Sequence, residues 1–251
     1  MNQSLVKRLV AEAVGTSLLL AAVVGSGIMG ERLAGGNVAI ALLANTIATG
    51  SALAALILAF APISGAHFNP VVTLTDAWLK GIAWRESPLY IAAQVAGALA
   101  GVACANTMFG LPVFFVSHHA RAGSAQLLSE SIATFGLLAV IWGCTRSRSA
   151  AVPFAVAAYI TAAYWFTAST SFANPAVTLA RSMSDTFAGI RPIDVPGFIG
   201  AQLLGAFAAT ALFRWLTPPL SQDAGVLLVS QESGKDGSER TALQSTVPVH
   251  R

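Results

Sequence analysis

The chain has 251 residues, of which 55% are hydrophobic and only 10% are charged, and its formal net charge is +3. Ordinary soluble domains carry about 25% charged residues, so this composition indicates a membrane protein. The small positive charge, without a basic stripe that alternates with aromatic residues, argues against a nucleic-acid-binding surface.

Six apolar segments are long enough to cross a bilayer, which requires about 20 residues. We predict spanning helices at about 9–29, 37–60, 88–108, 126–145, 150–168 and 195–216. The first segment is longer than the apolar core of a cleaved signal peptide, so it is expected to remain as a helix. Residues 218–251 are rich in Ser, Gln, Asp, Glu and Gly and are predicted to form a disordered tail.

Two short stretches, at 69–74 and 174–179, read Asn-Pro-Val-Val-Thr-Leu and Asn-Pro-Ala-Val-Thr-Leu. Each predicts the start of a helix, because Asn caps the first free amides and the next residue, Pro, has its φ already set for a helix. The apolar runs that follow end at Lys80 and at Arg181, too early to span a bilayer. Short capped helices in matching places are typical of broken helices that meet at the membrane midplane.

The repetition extends beyond these stretches. Glu12 in the first span corresponds to Glu130 in the fourth, and Gln94 in the third corresponds to Gln202 in the sixth. Each half therefore contains three spans and one half-helix. Because three is odd, the second half must enter the membrane from the opposite side, so the repeats are inverted.

The predicted fold class is an all-α membrane protein, with six transmembrane helices and two re-entrant half-helices in an inverted 3+3 repeat. One channel domain is expected over 1–217, with its repeats at about 5–110 and 125–217. Positive residues favour cytoplasmic termini. With the N-terminus inside, seven lie on the cytoplasmic side and four outside, omitting the tail: Lys7, Arg8, Lys80, Arg85, Arg146, Arg148 and Arg214 against Arg32, Arg121, Arg181 and Arg191.

Two helix N-termini that face each other at the midplane create a positive potential, about half a charge from each helix dipole. The side-chain amides of Asn69 and Asn174 can donate hydrogen bonds into the space between them. Such a region favours neutral solutes with lone pairs and repels cations, hydronium included. Simple capping of two buried helices would explain one copy of the motif, whereas two copies in an inverted repeat favour a pore.

These motifs resemble the aquaporin, or major intrinsic protein, family over about 5–217. The resemblance rests on the stretch from Ser64 to Pro70, on the second Asn-Pro-Ala, and on the paired Glu and Gln spans. It implies a pore in each subunit, normally within a homotetramer, that passes water or small neutral solutes passively. It places the pore motifs at Asn69, Pro70, Val71, Asn174, Pro175 and Ala176.

The narrowest point of such channels, the selectivity filter, is formed by four side chains. Matching without gaps places them at Thr49, Ala162, Ser171 and Val177, with Thr161 replacing Ala162 if the match shifts by one residue. Water-selective members are similar in having a bulky aromatic, a His and an Arg there, and glycerol-conducting members keep the Arg beside aromatics. This chain has Val177 in place of the Arg, so a wider and less polar opening is expected.

Arg181 follows Val177 by four residues, on nearly the same face of the half-helix and about 6 Å further out. Two interpretations remain open for this outer vestibule residue. It is either a solvated arginine at the outer mouth or a displaced positive guard that attracts anions and polar acids.

In the family, carboxylates at the positions of Glu12 and Glu130 brace the loops that lead into the half-helices. Intramembrane carboxylates also form proton relays, so an ion-coupled secondary transporter that uses Glu12 and Glu130 is the alternative function. His67 is expected to brace its loop on the pore side or to form a cytoplasmic constriction. Gln94 and Gln202 are expected to form interhelical hydrogen bonds.

The sequence therefore predicts a passive channel with an open filter and no catalytic activity. Water, glycerol and urea are the expected solutes, and the resemblance adds undissociated arsenous acid and methylated arsenicals. The channel is expected in an inner or plasma membrane, without a metal or cofactor, and Cys104 and Cys144 are expected to be unpaired and buried. A closed junction protein is a third alternative, whose sign would be bulky residues in the filter.

Overall fold

A computed structural model describes residues 3–217, and the predicted tail at 218–251 lies outside this range. Eight α-helices form the described part of the chain: α1 (Leu5–Leu33), α2 (Val38–Ser64), α3 (Pro70–Trp78), α4 (Ser87–Met108), α5 (Ser124–Ser147), α6 (Val152–Phe166), α7 (Pro175–Arg181) and α8 (Val195–Leu216). Single 3-10 turns, Ser149–Ala151 and Pro192–Asp194, lead into α6 and α8. These residues contain no strand, which confirms the all-α fold class.

Six helical segments in the described range are long and apolar enough to span a membrane, and they include all the helices except α3 and α7. Helix α1 begins four residues before the predicted span and α2 ends four residues after it. At the start of α1 the reason is that hydropathy marks only the apolar part of a helix, while charged residues such as Lys7 and Arg8 continue it into the interface.

The two halves pack through matching glycines. A Cβ atom on Gly97 of α4 would lie 2.2 Å from the carbonyl oxygen of Ala13 in α1. A Cβ atom on Gly205 of α8 would lie equally close, 2.2 Å, to the carbonyl oxygen of Ser131 in α5. Such backbone contact admits only glycine, as is common between transmembrane helices. The α1–α4 and α5–α8 pairs are therefore equivalent, as the inverted repeat requires.

The half-helices run from the middle of the bundle to opposite faces. We call the side where α1 begins and α8 ends the terminal face. Helix α3 ends at this face, where the Cζ atom of Arg214 lies 5.1 Å from the centre of the Trp78 ring. Helix α7 runs the other way, toward the loop after α4, where the amides of Phe115 and Ser117 donate to the carbonyls of Met183 and Ser182.

Both cysteines are unpaired, as predicted. The prediction that both are buried is wrong, because Cys104 is exposed on the outside of α4 and Cys144 is only partly buried. An apolar stretch does not by itself indicate burial here, because the lipid-facing side of a membrane helix is as apolar as its packed side.

Candidate functional site

The loops that enter α3 and α7 share an unusual backbone conformation. Ala66 and Phe68 both have φ at 49°, and Ser171 and Ala173 have φ at 52° and 48°. Positive φ is uncommon for residues other than glycine, so the surrounding structure must hold these loops in place.

Glu12 provides this support in the first half. Its Oε1 accepts hydrogen bonds from Ser64 Oγ at 2.7 Å and from the His67 amide at 3.0 Å. Its Oε2 accepts from the Phe68 amide at 2.7 Å and from Gln94 Nε2 at 2.8 Å. The carboxylate is fully buried, and these four donors replace the water that it has lost.

Glu130 has similar surroundings in the second half, with three donors instead of four. Its two oxygens accept from the amides of Phe172 and Ala173, both at 2.9 Å. The Oε2 atom also accepts from Gln202 Nε2 at 2.7 Å. Gln202 in turn donates to Thr178 on α7 at 2.8 Å, and Gln94 donates to Thr73 on α3 at 2.9 Å. Each carboxylate therefore connects its loop to the half-helix through a glutamine.

The two Asn-Pro motifs start the half-helices as the sequence predicts. Asn69 Oδ1 accepts from the Val71 amide at 3.1 Å, and Asn174 Oδ1 accepts from the Ala176 amide at 3.0 Å. The prolines at the next positions begin α3 and α7. The helix N-termini therefore meet inside the bundle with their first amides capped.

The same two asparagines link the repeats to each other. Asn69 Nδ2 donates to the carbonyl oxygen of Ala173 at 2.8 Å, and Asn174 Nδ2 donates to that of Phe68 at 2.7 Å. Each amide group has two hydrogens, so one donor remains on each asparagine after this bond. Both asparagines line a cavity, where the remaining donors can serve a solute.

This cavity lies inside the bundle and is lined by residues of both halves. One stretch of its wall is polar and consists of the loops around His67 and Ser171 together with both asparagines. The remaining wall is largely apolar and includes Leu19, Val23, Leu53, Ile57, Leu137, Ile141, Val156 and Ile160. An apolar cavity with a few hydrogen-bonding groups suits small neutral solutes, because only some of their hydrogen bonds to water must be replaced by the protein.

Three of the four proposed filter residues, Thr49, Ser171 and Val177, lie in the wall of this cavity. The prediction for Ala162 is wrong, because Ala162 is exposed on the outside of α6 and is absent from the cavity wall. The alternative, Thr161, also fails: it packs against α2, where a Cβ on Gly50 would lie 2.1 Å from its Oγ1.

Tyr164 occupies the position on α6 that the sequence assigned to Ala162. Val156, Ile160 and Tyr164 follow one another at four-residue intervals and all line the cavity. The Tyr164 hydroxyl donates to Thr49 Oγ1 at 3.3 Å, which joins α6 to α2 beside the opening. The helical spacing of Val156, Ile160 and Tyr164 could have indicated this residue. The ungapped match to Asn174 instead assumed that the loop between α6 and α7 has the length usual in the family.

Arg181 is 2% exposed and lines the cavity, so its interpretation as a solvated arginine is wrong. Its Nε donates to the carbonyl oxygen of Ala188. Its Cζ lies 3.4 Å from the centre of the Phe172 ring, a cation–π contact. The positive charge therefore lies in the cavity wall, although no arginine stands at position 177.

A second buried arginine, which the sequence analysis missed, lies behind this one. Arg121 comes from the loop after α4, and its Cζ is 4.9 Å from the Phe172 ring centre. It donates to the carbonyl oxygens of Gly189 and Ser169 at 2.8 and 3.2 Å. Burial and the charges of Arg121 and Arg181 lower the pKa of His119 in the same loop.

His67 lies at the other end of the polar stretch. Its Nδ1 is 3.0 Å from Thr73 Oγ1, and its Nε2 is 3.5 Å from Asp76 Oδ2 on α3. Tyr90 packs on the ring, with 5.5 Å between the ring centres. Within residues 3–217 no group of three potential metal ligands occurs around it or elsewhere.

Comparisons with known proteins agree with this architecture. The sequence profile of the major intrinsic protein family matches residues 1–158 and 146–244. Aquaglyceroporin AqpS of Rhizobium meliloti (strain 1021) is 57% identical over 215 residues, covering 86% of this chain and 92% of that protein. The probable aquaporin AqpM of Archaeoglobus fulgidus is 32% identical over 246 residues, covering 86% of this chain and 99% of that protein.

The fold resembles that of a solved structure as well. The aquaglyceroporin from Plasmodium falciparum superposes with a TM-score of 0.63 at 19% identity, covering 84% of this chain and 94% of that chain. At this identity the likeness concerns the fold alone. Together with the profile and the relatives, it establishes that the chain belongs to the major intrinsic protein family, whose members are membrane channels and not enzymes.

Proposed function

We propose that the chain is a passive channel of the aquaglyceroporin type. The observation that carries the proposal is the meeting of two capped half-helices at one cavity, with a free amide donor on each of Asn69 and Asn174. Two dipole N-termini at this point repel cations, hydronium included, while the donors hold neutral oxygen-containing solutes. Its similarity to an aquaglyceroporin supports a channel for water and small solutes.

Its proposed solutes are water, glycerol, urea, undissociated arsenous acid and methylated arsenicals. Thr49, Ser171 and Val177 leave more room at the opening than an arginine at position 177 would. The Tyr164 side chain occupies part of this space on the α6 side, so the opening is narrower than the sequence predicted. A medium-sized opening with hydroxyl groups and apolar walls fits small molecules that carry several hydroxyls.

The alternative, an ion-coupled transporter that uses Glu12 and Glu130, has less support. Both carboxylates are fully buried, and neither lines the cavity. Each accepts at least three hydrogen bonds from loop amides and a glutamine. Protonation during a transport cycle would break the bonds that hold the half-helix loops, so we assign both residues a bracing role.

The proposed setting is an inner or plasma membrane, with the terminal face in the cytoplasm and four chains in a homotetramer. The orientation rests on the distribution of positive residues, which favours that face by seven to four. Under this orientation Arg181 lies at the outer end of the cavity, with Arg121 behind it, and His67 lies toward the cytoplasm.

A solute panel in proteoliposomes tests the function. Stopped-flow measurements of water, glycerol, urea and arsenous acid flux would be made with and without imposed proton and sodium gradients. We expect fluxes that follow the solute gradient alone. Uphill accumulation of a neutral solute, driven by either ion, would contradict the channel and restore Glu12 and Glu130 as coupling groups.

A further inference from the structure

A buried hydroxyl in the cavity wall has no partner. Ser171 is 3% exposed and lines the cavity, and its Oγ forms no hydrogen bond within residues 3–217. The backbone there is held at a φ of 52°, next to residues whose amides Glu130 binds. A buried polar group is normally satisfied, so this hydroxyl is placed for whatever occupies the cavity.

Arg181 offers further donors to the same cavity. A guanidinium has five N–H donors, and the described residues accept from one of its nitrogens only, Nε. No carboxylate in the described range forms a salt bridge with it. The Phe172 ring holds it by one face, which leaves the edge of the planar group for other acceptors.

The wall beside these two groups is apolar. Val177 lies between Ser171 and Arg181 along the chain, one helical turn before the arginine, and lines the cavity with Ile160. A polyol would leave some hydroxyls against this apolar surface without partners. A molecule with oxygens at one end and an apolar substituent at the other would match both parts of the wall.

We infer that Arg181 and Ser171 form a binding subsite for small oxyacids that carry an apolar substituent, of which the short monocarboxylic acids are the simplest. The acid oxygens accept from the Arg181 guanidinium and the Ser171 hydroxyl, and the substituent lies against Val177. This inference rests on the proposed channel function. It assigns a binding site to the methylated arsenicals already proposed, which are oxyacids with apolar substituents, and it adds the short monocarboxylic acids as solutes.

The neutral acid and its anion are expected to behave differently at this subsite. The neutral acid binds and leaves again, so its flux should saturate with concentration. The anion binds more tightly to the guanidinium, but it must lose its hydration to enter the apolar wall beyond. The anion should therefore occupy the outer end and obstruct the passage of other solutes.

Competition between acetate and glycerol tests the subsite. Glycerol influx into proteoliposomes is measured at neutral pH with increasing external sodium acetate. Sodium gluconate, whose carboxylate carries a bulky polar chain, keeps the ionic strength constant. We expect acetate to inhibit glycerol flux with a saturable dose response. The half-inhibitory concentration should rise about tenfold or more in Arg181→Leu and by a smaller factor in Ser171→Ala.

Two further variants separate the subsite from general effects. Arg32→Leu removes an exposed arginine that also stacks on an aromatic ring, with 5.1 Å between its Cζ and the centre of Phe109, and it should leave acetate inhibition unchanged. Ser171→Ala deletes only an unpartnered hydroxyl, so it keeps the test informative if Arg181→Leu does not fold.

The outcomes distinguish this inference from the channel proposal. Wild-type protein that conducts glycerol normally but is insensitive to acetate overturns the subsite and leaves the channel standing. Equal inhibition of the wild type, Arg181→Leu and Ser171→Ala also overturns it, since acetate would then bind elsewhere. A wild type that passes neither water nor glycerol overturns the channel proposal, and the subsite with it.

Discussion

The Cζ atom of Arg181 lies 3.4 Å from the centre of the Phe172 ring, inside the wall of the cavity. A desolvated cation–π contact of this kind is worth about 2 kcal/mol, enough to hold a long side chain in one orientation. The contact places the positive charge one helical turn beyond Val177, on the side of α7 away from the capping asparagine. The cavity thus keeps a positive end, opposite the terminal face, while the wall at position 177 stays uncharged.

Val177→Arg tests the role of this uncharged wall. The new guanidinium would fill much of the space beside Ser171 and add a charge one turn from Arg181. Flux of glycerol and of methylated arsenicals should fall steeply, whereas water flux should fall much less. The ratio of large-solute to water flux, normalised to incorporated protein, is the measurement.

Val177→Met, long but neutral, serves as the control for length alone. A normally folded Val177→Arg with an unchanged ratio would show that this side chain does not set the filter.

Thr49→Trp should narrow the same opening through size alone. Thr49 lies in the cavity wall and accepts from the Tyr164 hydroxyl at 3.3 Å, so a large ring there must extend into the passage. We expect glycerol flux to fall more than water flux, as with Val177→Arg, but without an added charge. If the flux of a weak acid falls in Thr49→Trp but not in Val177→Arg, the width of the opening limits that acid and its charge does not. Equal glycerol flux in Thr49→Trp and wild type would contradict the placement of Thr49.

Glu12→Gln and Glu130→Gln test the bracing role. Donors surround both oxygens of each carboxylate, so either orientation of the new amide places its NH₂ against another donor. Charge-assisted bonds of this kind contribute about 1.5–3 kcal/mol each, so we expect lower folded yield or a distorted pore. Glu31→Gln, at an exposed position near the end of α1, is the matched control. Normal yield with a shifted pH dependence of flux would instead indicate proton coupling.

Gly205→Ala tests the close contact between α5 and α8. The added methyl would lie 2.2 Å from the Ser131 carbonyl oxygen, which cannot move without shifting α5. Overpacking of this type costs about 1–3 kcal/mol, so the melting temperature in detergent should fall. Gly200→Ala, on the same helix, meets no atom within 4 Å and should leave stability unchanged or slightly higher. Equal melting temperatures for the two variants would show that α8 is free to move away from α5.

The fold and the inverted repeat could be read from the sequence because their signals are local. A capping Asn followed by Pro defines a helix start within two residues, and an apolar run defines a membrane span by its length. Glu12 and Gln94, with their counterparts Glu130 and Gln202, stand at matching places in the two halves. The structure brings each Glu within hydrogen-bonding distance of its Gln, at 2.8 and 2.7 Å.

The composition of the filter could not be read in the same way. Which side of α6 faces the cavity depends on how the helix is rotated against α2, and counting residues back from Asn174 does not measure rotation. Tyr164 lines the cavity and Ala162 faces outward for this reason. The burial of Arg181 was equally undetermined, because it requires a ring from the loop before α7 and a carbonyl oxygen from the loop after it. Sequence determined the elements and their order, whereas the contacts that Arg181 makes with the loops on either side of α7 decided where the charge lies.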